Sequence, residues 1–344
     1  MIALGIESSC DETACAVVRD DGEILSNVVA SQIALHTPYG GVVPEIASRA
    51  HLEQLLPVMN AALKAADCEL ENVDLIAATR GPGLIGCLLV GFETAKALAY
   101  ASGKRLVPVN HVAAHLHSIF VGDDRVDENF YPYLGLAVSG GHSSLIRCDG
   151  PGRLTQLGQT LDDAAGEVFD KVAHLLELGH PGGPRIDELA KTGNPTAIKF
   201  TRPVLHKAGF NFSFSGLKTA VRLQVEKQGP ALLKDEQGMA DLAASFQAAV
   251  VDVLLTKAAR ALSHERLKRL AIVGGVACNS ALRSEAVRRL RGIELRLPPP
   301  VMCTDNAAMI AGLGLAIDRL QPDKESAENN WSLNANANLK PAES

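Results

Sequence analysis

Apolar and polar positions along the first third of the chain predict strands and helices in turn. Three β-rich runs, at residues 2–6, 13–18 and 23–29, predict a meander of three strands. Apolar residues at helical spacing over 44–66 and 84–101 predict two helices, the second largely buried. Two short strands are predicted beside these helices, at residues 74–79 and 105–109. This alternation predicts an α/β fold.

One pattern of strands occurs twice. Residues 4–25, “LGIESSCDETACAVVRDDGEIL”, resemble residues 134–154, “LGLAVSGGHSSLIRCDGPGRL”. Each stretch has an apolar strand, a polar turn containing serine, a second strand and an Asp-Gly pair. A repeat that occurs only twice, about 130 residues apart, predicts two similar lobes rather than a solenoid. Two such turns facing each other would hold one nucleotide through backbone N–H groups and hydroxyls; two unrelated hairpins are the alternative.

Composition and charge limit the class of protein. Hydrophobic residues make up 47% and charged residues 21%, as in ordinary globular domains. The net charge of −6 excludes attraction of nucleic acid by the whole surface. Seven cysteines without a C-x-x-C pair indicate reduced thiols. The N-terminus lacks a signal peptide's basic region, and apolar stretches are interrupted before they reach membrane length, so we expect a cytoplasmic protein with no membrane partner.

Two glycine motifs suggest nucleotide binding. “RGPGLIG” at residues 80–86 has the G-x-G-x-x-G spacing of a dinucleotide fingerprint between a strand and a helix. The acid that the fingerprint requires after the next strand is missing, because that strand ends in Val109-Asn110, so a dehydrogenase is disfavoured. No Walker loop occurs in the sequence. Gly274 and Gly275 permit close approach to an adenine or ribose, although a glycine pair also ends ordinary strands.

Three histidines within seven residues suggest a metal site. His111 and His115 share one face of a predicted helix, whereas His117 points elsewhere. Two imidazoles on one face form half of a metal site, or are simply two polar residues on an exposed face. A zinc protease needs Glu directly after its first histidine, and Val112 stands there. Asp305, just before an Ala-rich helix, is either the third ligand or an ordinary N-cap.

Ten motifs carry a resemblance to a known family. In chain order they are “ESSCDET”, “TPYGGVVPEIASRAH”, “GPGLIG”, “NHVAAHLHS”, “AVSGGHSSL”, “DDAAGEVFDKVAHLL”, “GGPRID”, “FSFSGLKTA”, “VGGVACN” and “TDNAAMIA”. Over about residues 1–320 they resemble the tRNA adenosine threonylcarbamoyltransferase (TsaD) family, once called O-sialoglycoprotein endopeptidases. The resemblance implies the two-lobed actin-like (ASKHA) fold, with duplicated strand–turn–strand cores around a nucleotide cleft. The N-terminal lobe would be 1–118 completed by helix 305–320, the C-terminal lobe 130–300, and 321–344 a polar, loose tail.

The resemblance also implies a reaction. A threonylcarbamoyl group moves from threonylcarbamoyl-AMP to the exocyclic amine of the adenosine 3′ of the anticodon, in tRNAs that read codons beginning with A. AMP leaves and threonylcarbamoyladenosine forms. We expect His111, His115 and Asp305 to hold one divalent metal ion, iron or zinc, that binds the donor's phosphate as a Lewis acid. ATP or ADP is a further expected occupant of the cleft.

The family's substrate-binding positions match nine residues of this sequence. They are Val138, Ser139, Gly140, Gly141, His142, Asp170, Gly183, Asp187 and Asn279. The acids would accept hydrogen bonds from ribose hydroxyls, and Asn279 would reach the adenosine. In the first polar turn, Asp11 is the catalytic candidate beside Glu12, since it would orient the amine or accept its proton; capping of backbone N–H groups is the alternative.

Partners follow from charge and from the resemblance. Residues 257–296 carry ten Lys or Arg and three Glu, a balance of +7 that predicts a tRNA footprint, unless these are solvated helix faces. The resemblance implies a catalytically silent, TsaB-like paralogue that pairs through the N-terminal lobe, and a small TsaE-like ATPase. The alternative functions are a small-molecule kinase or chaperone-like ATPase of the same superfamily, and a metalloprotease, which Val112 disfavours.

Overall fold

The computed structural model describes residues 1–202, 208–320 and 331–341. Its strands are β1 (Ile2–Glu7), β2 (Glu12–Arg19), β3 (Ile24–Ser31), β4 (Leu75–Gly81), β5 (Arg105–Asn110), β6 (Tyr133–Val138), β7 (Ser143–Gly150), β8 (Arg153–Gln159), β9 (Arg269–Val273) and β10 (Glu294–Arg296). Its α-helices are α1 (Ile33–His36), α2 (Pro44–Ala65), α3 (Ile85–Ser102), α4 (His111–His117), α5 (Ala165–Leu175), α6 (Gly182–Ala190), α7 (Ser215–Gln228), α8 (Glu236–Glu265), α9 (Ser280–Arg289), α10 (Pro300–Cys303) and α11 (Ala307–Leu320). The strands and helices predicted in the first third are confirmed, with ends shifted by at most two residues.

The strands form two five-stranded sheets with the same internal order. The first sheet runs β3-β2-β1-β4-β5 and the second β10-β9-β6-β7-β8. In each sheet, three strands that are consecutive in sequence lie side by side. The next two strands in sequence then extend the sheet from the edge of the first strand, which is β1 in one sheet and β6 in the other. β1 is parallel to β4, and β6 is parallel to β9. The shared order confirms that the strand–turn–strand unit is duplicated and excludes two unrelated hairpins.

The chain divides into two compact units. Unit 1 comprises Met1–Tyr131, Cys148–Thr155 and Val301–Ser344, and unit 2 comprises Pro132–Arg147 and Gln156–Pro300. The first sheet lies in unit 1.

The first sheet is buried on both faces because its strands alternate apolar side chains between two cores. On β1, Ala3 belongs to the core shared with α11, whereas Leu4 and Ile6 belong to the core shared with α2 and α3. α11 approaches closely: a methyl group on Gly5 would lie 2.3 Å from the Ala307 carbonyl oxygen. This contact fixes the start of α11, and with it Asp305, against the sheet.

Among the described residues, two helices, α3 and α8, are long and apolar enough to cross a membrane by length and composition alone. The prediction that apolar stretches are interrupted before they reach membrane length therefore does not hold for these two helices. In α8, 72% of the apolar window is buried inside the protein, as in the core helix of a globular domain. In α3 only 33% is buried, and Ile85, Leu89 and Tyr100 are exposed, which corrects the expectation of a largely buried helix.

Residues 331–341 pack against the rest of unit 1, so the prediction of a loose tail is wrong for this segment. The ring of Trp331 meets Tyr100 edge-on, with centroids 5.8 Å apart. Further along, Leu339 is only 3% exposed. The rest of the predicted tail, 321–330 and 342–344, lies outside the described residues.

Candidate metal centre and substrate-binding residues

The histidine segment is a short buried helix that begins where β5 ends. The Asn110 side chain accepts a hydrogen bond from the Ala113 N–H at 3.1 Å and so caps α4. His111 and His115 are 7% and 3% exposed, which excludes the alternative of two polar residues on an exposed face. As predicted, His117 points elsewhere: its Nδ1 lies 3.4 Å from the Tyr131 hydroxyl.

Three predicted ligands come together in unit 1. One donor atom from each of His111, His115 and Asp305 lies within 4.8 Å of the other two. The Oδ1 atom of Asp305 is 3.0 Å from Nε2 of His115 and 3.6 Å from Nε2 of His111. Among the described residues, no other group of three His, Cys, Asp or Glu side chains meets this spacing. Two imidazoles and one carboxylate fit iron or zinc and leave coordination positions for ligand oxygens.

Asp305 is not the N-cap of α11. The side chain of Asn306 accepts a hydrogen bond from the Met309 N–H at 3.1 Å and caps the helix instead. The Asp305 carboxylate is therefore directed at the histidines, where sequence alone left both roles open.

Glu7, which the sequence analysis did not single out, contacts the ring nitrogen of His111 that faces away from Asp305. Its carboxylate is fully buried at the end of β1 and accepts hydrogen bonds from the Ser9 N–H at 2.5 Å and the Thr79 hydroxyl at 2.6 Å. The Nδ1 atom of His111 lies 3.0 Å from Glu7 Oε2. Because a carboxylate only accepts, Nδ1 carries the proton and Nε2 is left to face Asp305. A single acid that ends an apolar strand was the available signal, since a buried carboxylate needs partners.

The charges in this cluster stabilise one another. Burial alone would lower the pKa of His111, but the charges of Glu7 and Asp305 outweigh it and raise that pKa to about 9. Burial would raise the pKa of Glu7, but the charge of His111 lowers it overall. The cluster therefore favours a positive charge between its two carboxylates. A divalent cation meets the same requirement.

The two acids of the first polar turn differ in their surroundings. Oε1 of Glu12 accepts a hydrogen bond from the Ser31 hydroxyl at 2.8 Å, whereas its Oε2 is buried with no hydrogen-bond partner in the described part of the chain. Burial raises the pKa of Glu12 to about 7, the Ser31 hydrogen bond opposes this, and the charge of Asp11 adds to it. Glu12 thus combines an unsatisfied acceptor with a pKa near neutrality.

In unit 2, the second polar turn of the repeat joins β6 to β7. The Ser139 hydroxyl accepts a hydrogen bond from the His142 N–H at 3.1 Å, and the Ser139 carbonyl accepts one from the Gly166 N–H at 3.1 Å. A methyl group added to Gly140 or Gly141 would meet nothing within 4 Å. The turn therefore presents open backbone at its tip.

The two acids expected to bind ribose are hydrogen-bonded to neighbouring elements of unit 2. Oδ1 of Asp170 accepts from the Gly182 N–H at 2.7 Å, so α5 holds the first turn of α6. Asp187 accepts from both the N–H and the hydroxyl of Ser280, at 3.1 and 2.8 Å. These bonds connect the helices that carry the two acids and Gly183. Contact of these three residues with a nucleoside stays a prediction.

The side chain of Asn279 also makes hydrogen bonds within unit 2. Its Oδ1 caps α9 by accepting the Leu282 N–H at 2.9 Å, and its Nδ2 donates to Gln247 Oε1 at 2.7 Å. The side chain is 8% exposed. These bonds do not test its predicted contact with adenosine, which stays a prediction.

Residues 257–296, the basic stretch with a charge balance of +7, lie in unit 2, and many of their cations already pair with acidic or carbonyl groups. At least six of the ten cations have acidic or carbonyl partners: Lys257, Arg269, Arg283, Arg288, Arg289 and Arg296. Arg266, Lys268 and Arg291 are exposed, with no ion pair to any residue that the structure describes. These three are the best candidates for contact with phosphates.

Comparison with known proteins relates the chain to one family and one fold. The TsaD family model, described as tRNA N6-adenosine threonylcarbamoyltransferase, matches residues 23–312. A relative of that name from Geobacter sulfurreducens is 57% identical over 313 residues, 90% of each chain. Another, from Symbiobacterium thermophilum, is 52% identical over 316 residues, 91% of this chain and 90% of that one.

Two solved structures share the fold at low identity. T. kodakarensis HypF matches with a TM-score of 0.59 at 16% identity, over 96% of this chain and 47% of that one. The Acidaminococcus fermentans (R)-2-hydroxyglutaryl-CoA dehydratase component A matches with a TM-score of 0.54 at 16% identity, over 95% of this chain and 99% of that one. With the duplicated sheet order, this likeness confirms the expected actin-like fold.

Proposed function

The chain belongs to the tRNA N6-adenosine threonylcarbamoyltransferase family, and from that premise we propose how its own residues serve the transfer. It is a transferase that modifies the N6 amine of a tRNA adenosine. The proposed donor is threonylcarbamoyl-AMP, and the acceptor is the adenosine 3′ of the anticodon in tRNAs that read codons beginning with A. The observation that carries the proposal is the buried cluster of His111, His115 and Asp305.

The proposed role of this cluster is to hold one divalent ion, iron or zinc. When bound, the ion supplies Lewis-acid stabilisation of the charge that develops on the phosphate leaving group. Glu7 fixes the ring of His111 so that Nε2 is available as a ligand. Val112, apolar and 3% exposed, occupies the position where a zinc protease carries its base, so the chain is not equipped to activate water in that way.

The nucleotide end of the donor is assigned to unit 2. In this proposal the turn Val138–His142 offers its open backbone, and Asp170, Gly183, Asp187 and Asn279 contact the nucleoside. ATP or ADP would use the same residues. The support is that hydrogen bonds within unit 2 hold Asp170 and Asp187 on connected helices, and that the turn and Gly183 leave space for a ligand.

Glu12 is proposed to accept the proton that the adenosine amine loses, a role first expected of Asp11. The transfer rate should rise with pH through about 7, since only the ionised carboxylate accepts a proton. Glu12→Gln should abolish this rise and lower kcat by about 10²- to 10⁴-fold, whereas Asp11→Asn should retain it. Rate measurements from pH 5.5 to 8.5 make the comparison, and loss of the rise in Asp11→Asn but not in Glu12→Gln would make Asp11 the proton acceptor.

The stability of the same variants provides a check on folding. The pKa of folded Glu12 lies above its ordinary value of 4.5, so folding favours the protonated form. Wild-type stability should therefore fall as pH rises through about 7. Glu12→Gln, which carries no charge to bury, should be more stable than wild type at pH 8, so its loss of activity would not be a loss of fold.

The proposed tRNA footprint includes the exposed cations Arg266, Lys268 and Arg291. Replacing all three with Glu should weaken tRNA binding and reduce the slope of log K against log salt by about 3, about one unit per lost phosphate contact. Arg288→Glu is the matched control, because Glu285 already pairs with Arg288. An unchanged slope in the triple variant would place the footprint elsewhere, including on a partner.

The proposed protein partners are a catalytically silent paralogue and a small ATPase, and tRNA as substrate implies the cytoplasm. The paralogue's proposed docking surface is the exposed apolar face of α2 and α3. It is formed by Leu52, Leu56, Ile85 and Leu89, which are 68%, 55%, 49% and 44% exposed.

The activity is tested by mass spectrometry of nucleosides from unmodified tRNA. The tRNA is incubated with threonine, bicarbonate, ATP, the donor-forming enzyme, the two partners and this chain. Threonylcarbamoyladenosine should appear only when this chain is present. ATP turnover by the chain alone without tRNA, and no modified nucleoside, would favour the kinase or chaperone-like ATPase instead.

A further inference from the structure

Residues 331–340, here called the C-terminal strap, continue the hydrogen bonding of unit 1 beyond the end of β4. The Asn336 N–H donates to the Arg80 carbonyl at 2.9 Å, and the Gly83 N–H donates to the Ala337 carbonyl at 3.2 Å. The side chain of Arg80 also donates to the Asn334 carbonyl at 3.0 Å. Contacts made through the main chain on both sides of Gly81 indicate a specific docking site for the strap.

The docking site depends on the absence of a side chain at Gly81. A Cβ there would lie 1.9 Å from the Asn336 carbonyl oxygen and 3.2 Å from Cβ of Leu339. The residue also has a φ of +155°, which side-chain-bearing residues rarely adopt. The first glycine of the apparent dinucleotide fingerprint is thus explained by strap packing, without a nucleotide.

The strap is tied to the helix that carries the candidate metal ligands. Asn110 is fully buried, and its Nδ2 donates to the Lys340 carbonyl at 2.9 Å. The Oδ1 atom of the same side chain caps α4 by accepting the Ala113 N–H. One amide therefore links the strap to the turn that begins with His111. A helix of seven residues is too short to hold its own geometry, so it depends on such contacts.

We propose that the C-terminal strap positions the first turn of α4 and so raises the affinity of the His111–His115–Asp305 centre for its metal. This inference rests on the proposed metal centre. The strap lies beyond residue 312, where the match to the family model ends, so that match does not include it. Loss of the strap should lower metal affinity about 10- to 100-fold, as loss of other groups that orient metal ligands does.

The chain provides its own reporter of strap docking. Trp331 is the only tryptophan in the sequence, and it lies within the strap. Gly81→Ala removes the docking site, and Leu339→Asp places a charge on a strap side chain that is 3% exposed. Both full-length variants should lower the fluorescence anisotropy of Trp331 and weaken Zn²⁺ binding in a chelator competition. Gly41→Ala is the control, since a Cβ there meets nothing within 4 Å and should change neither property.

The coupling should also be visible in the opposite direction. If docking favours metal binding, Zn²⁺ added to the wild type should raise the anisotropy of Trp331, because linkage is reciprocal. Release of Trp331 in Leu339→Asp with an unchanged Zn²⁺ affinity would overturn the inference, even if Gly81→Ala failed to fold. Failure of the wild type to bind Zn²⁺ or Fe²⁺ at all would instead overturn the proposed metal centre.

Discussion

Alanine at His111 or Asp305 is expected to remove bound metal and stop threonylcarbamoyl transfer while leaving the fold intact. Each change removes one of three converging donors, so metal affinity should fall by more than about 100-fold, beyond the loss typical of an orienting group. The sheet and its two cores do not depend on these side chains, so the circular dichroism spectrum should be retained. Elemental analysis of the purified variants measures the metal directly, independently of activity.

Two further variants separate loss of a ligand from other effects on metal binding. His117→Gln alters the third histidine of the same helix, which lies beside Tyr131 rather than in the cluster, and should keep its metal. Glu7→Gln keeps an oxygen that can accept from His111 but removes the negative charge, so it should lose about 10- to 100-fold in metal affinity. Stoichiometric metal in the double variant of His111 and His115 would mean that the ion binds elsewhere.

The sequence predicts a candidate metal ligand more readily when it lies close along the chain to the other candidates. The four-residue spacing of His111 and His115 placed them on one face without any knowledge of the fold. Asp305 is distant in sequence, and its place just before an Ala-rich helix allowed two roles, third ligand or N-cap. The competing N-cap role was decided by Asn306, because either of two adjacent residues can cap a helix and sequence does not say which one does.

Glu7 and the C-terminal strap show why other features could not be predicted. Apolar periodicity locates the strand that Glu7 ends, but it does not reveal which side chains from distant parts of the chain lie beside Glu7. These are Thr79 on β4 and His111 on α4. The strap docks largely through main-chain groups, which every sequence carries, so its polar, aperiodic composition indicated only a tail. Gly81 has the spacing of a nucleotide-binding glycine because close approach of another backbone segment and close approach of a ligand both require a residue without a side chain.

Charged substitutions on α2 and α3 are expected to weaken pairing with the proposed partner, a catalytically silent paralogue. Ser48 lies beside Gly86, since a Cβ on Gly86 would be 3.1 Å from Cβ of Ser48. Leu52 is one turn beyond Ser48, and Leu89 is one turn beyond Ile85, so the exposed side chains follow the same two adjoining helices. An apolar patch of this kind, spread over two helices, is typical of a protein–protein interface.

The double variant Leu52→Glu, Leu89→Glu should weaken this pairing by more than about 100-fold, because each substitution buries a charge at the centre of the proposed contact. Leu223→Glu is the matched control: Leu223 is exposed to a similar degree, 55%, but lies in unit 2. Size-exclusion chromatography and calorimetric titration with the paralogue measure the effect, and the metal content of the purified variant shows whether the metal centre persists. If the double variant and the control both still bind, the paralogue uses another surface. If both lose binding together, the effect is general and the face of α2 and α3 has no special role.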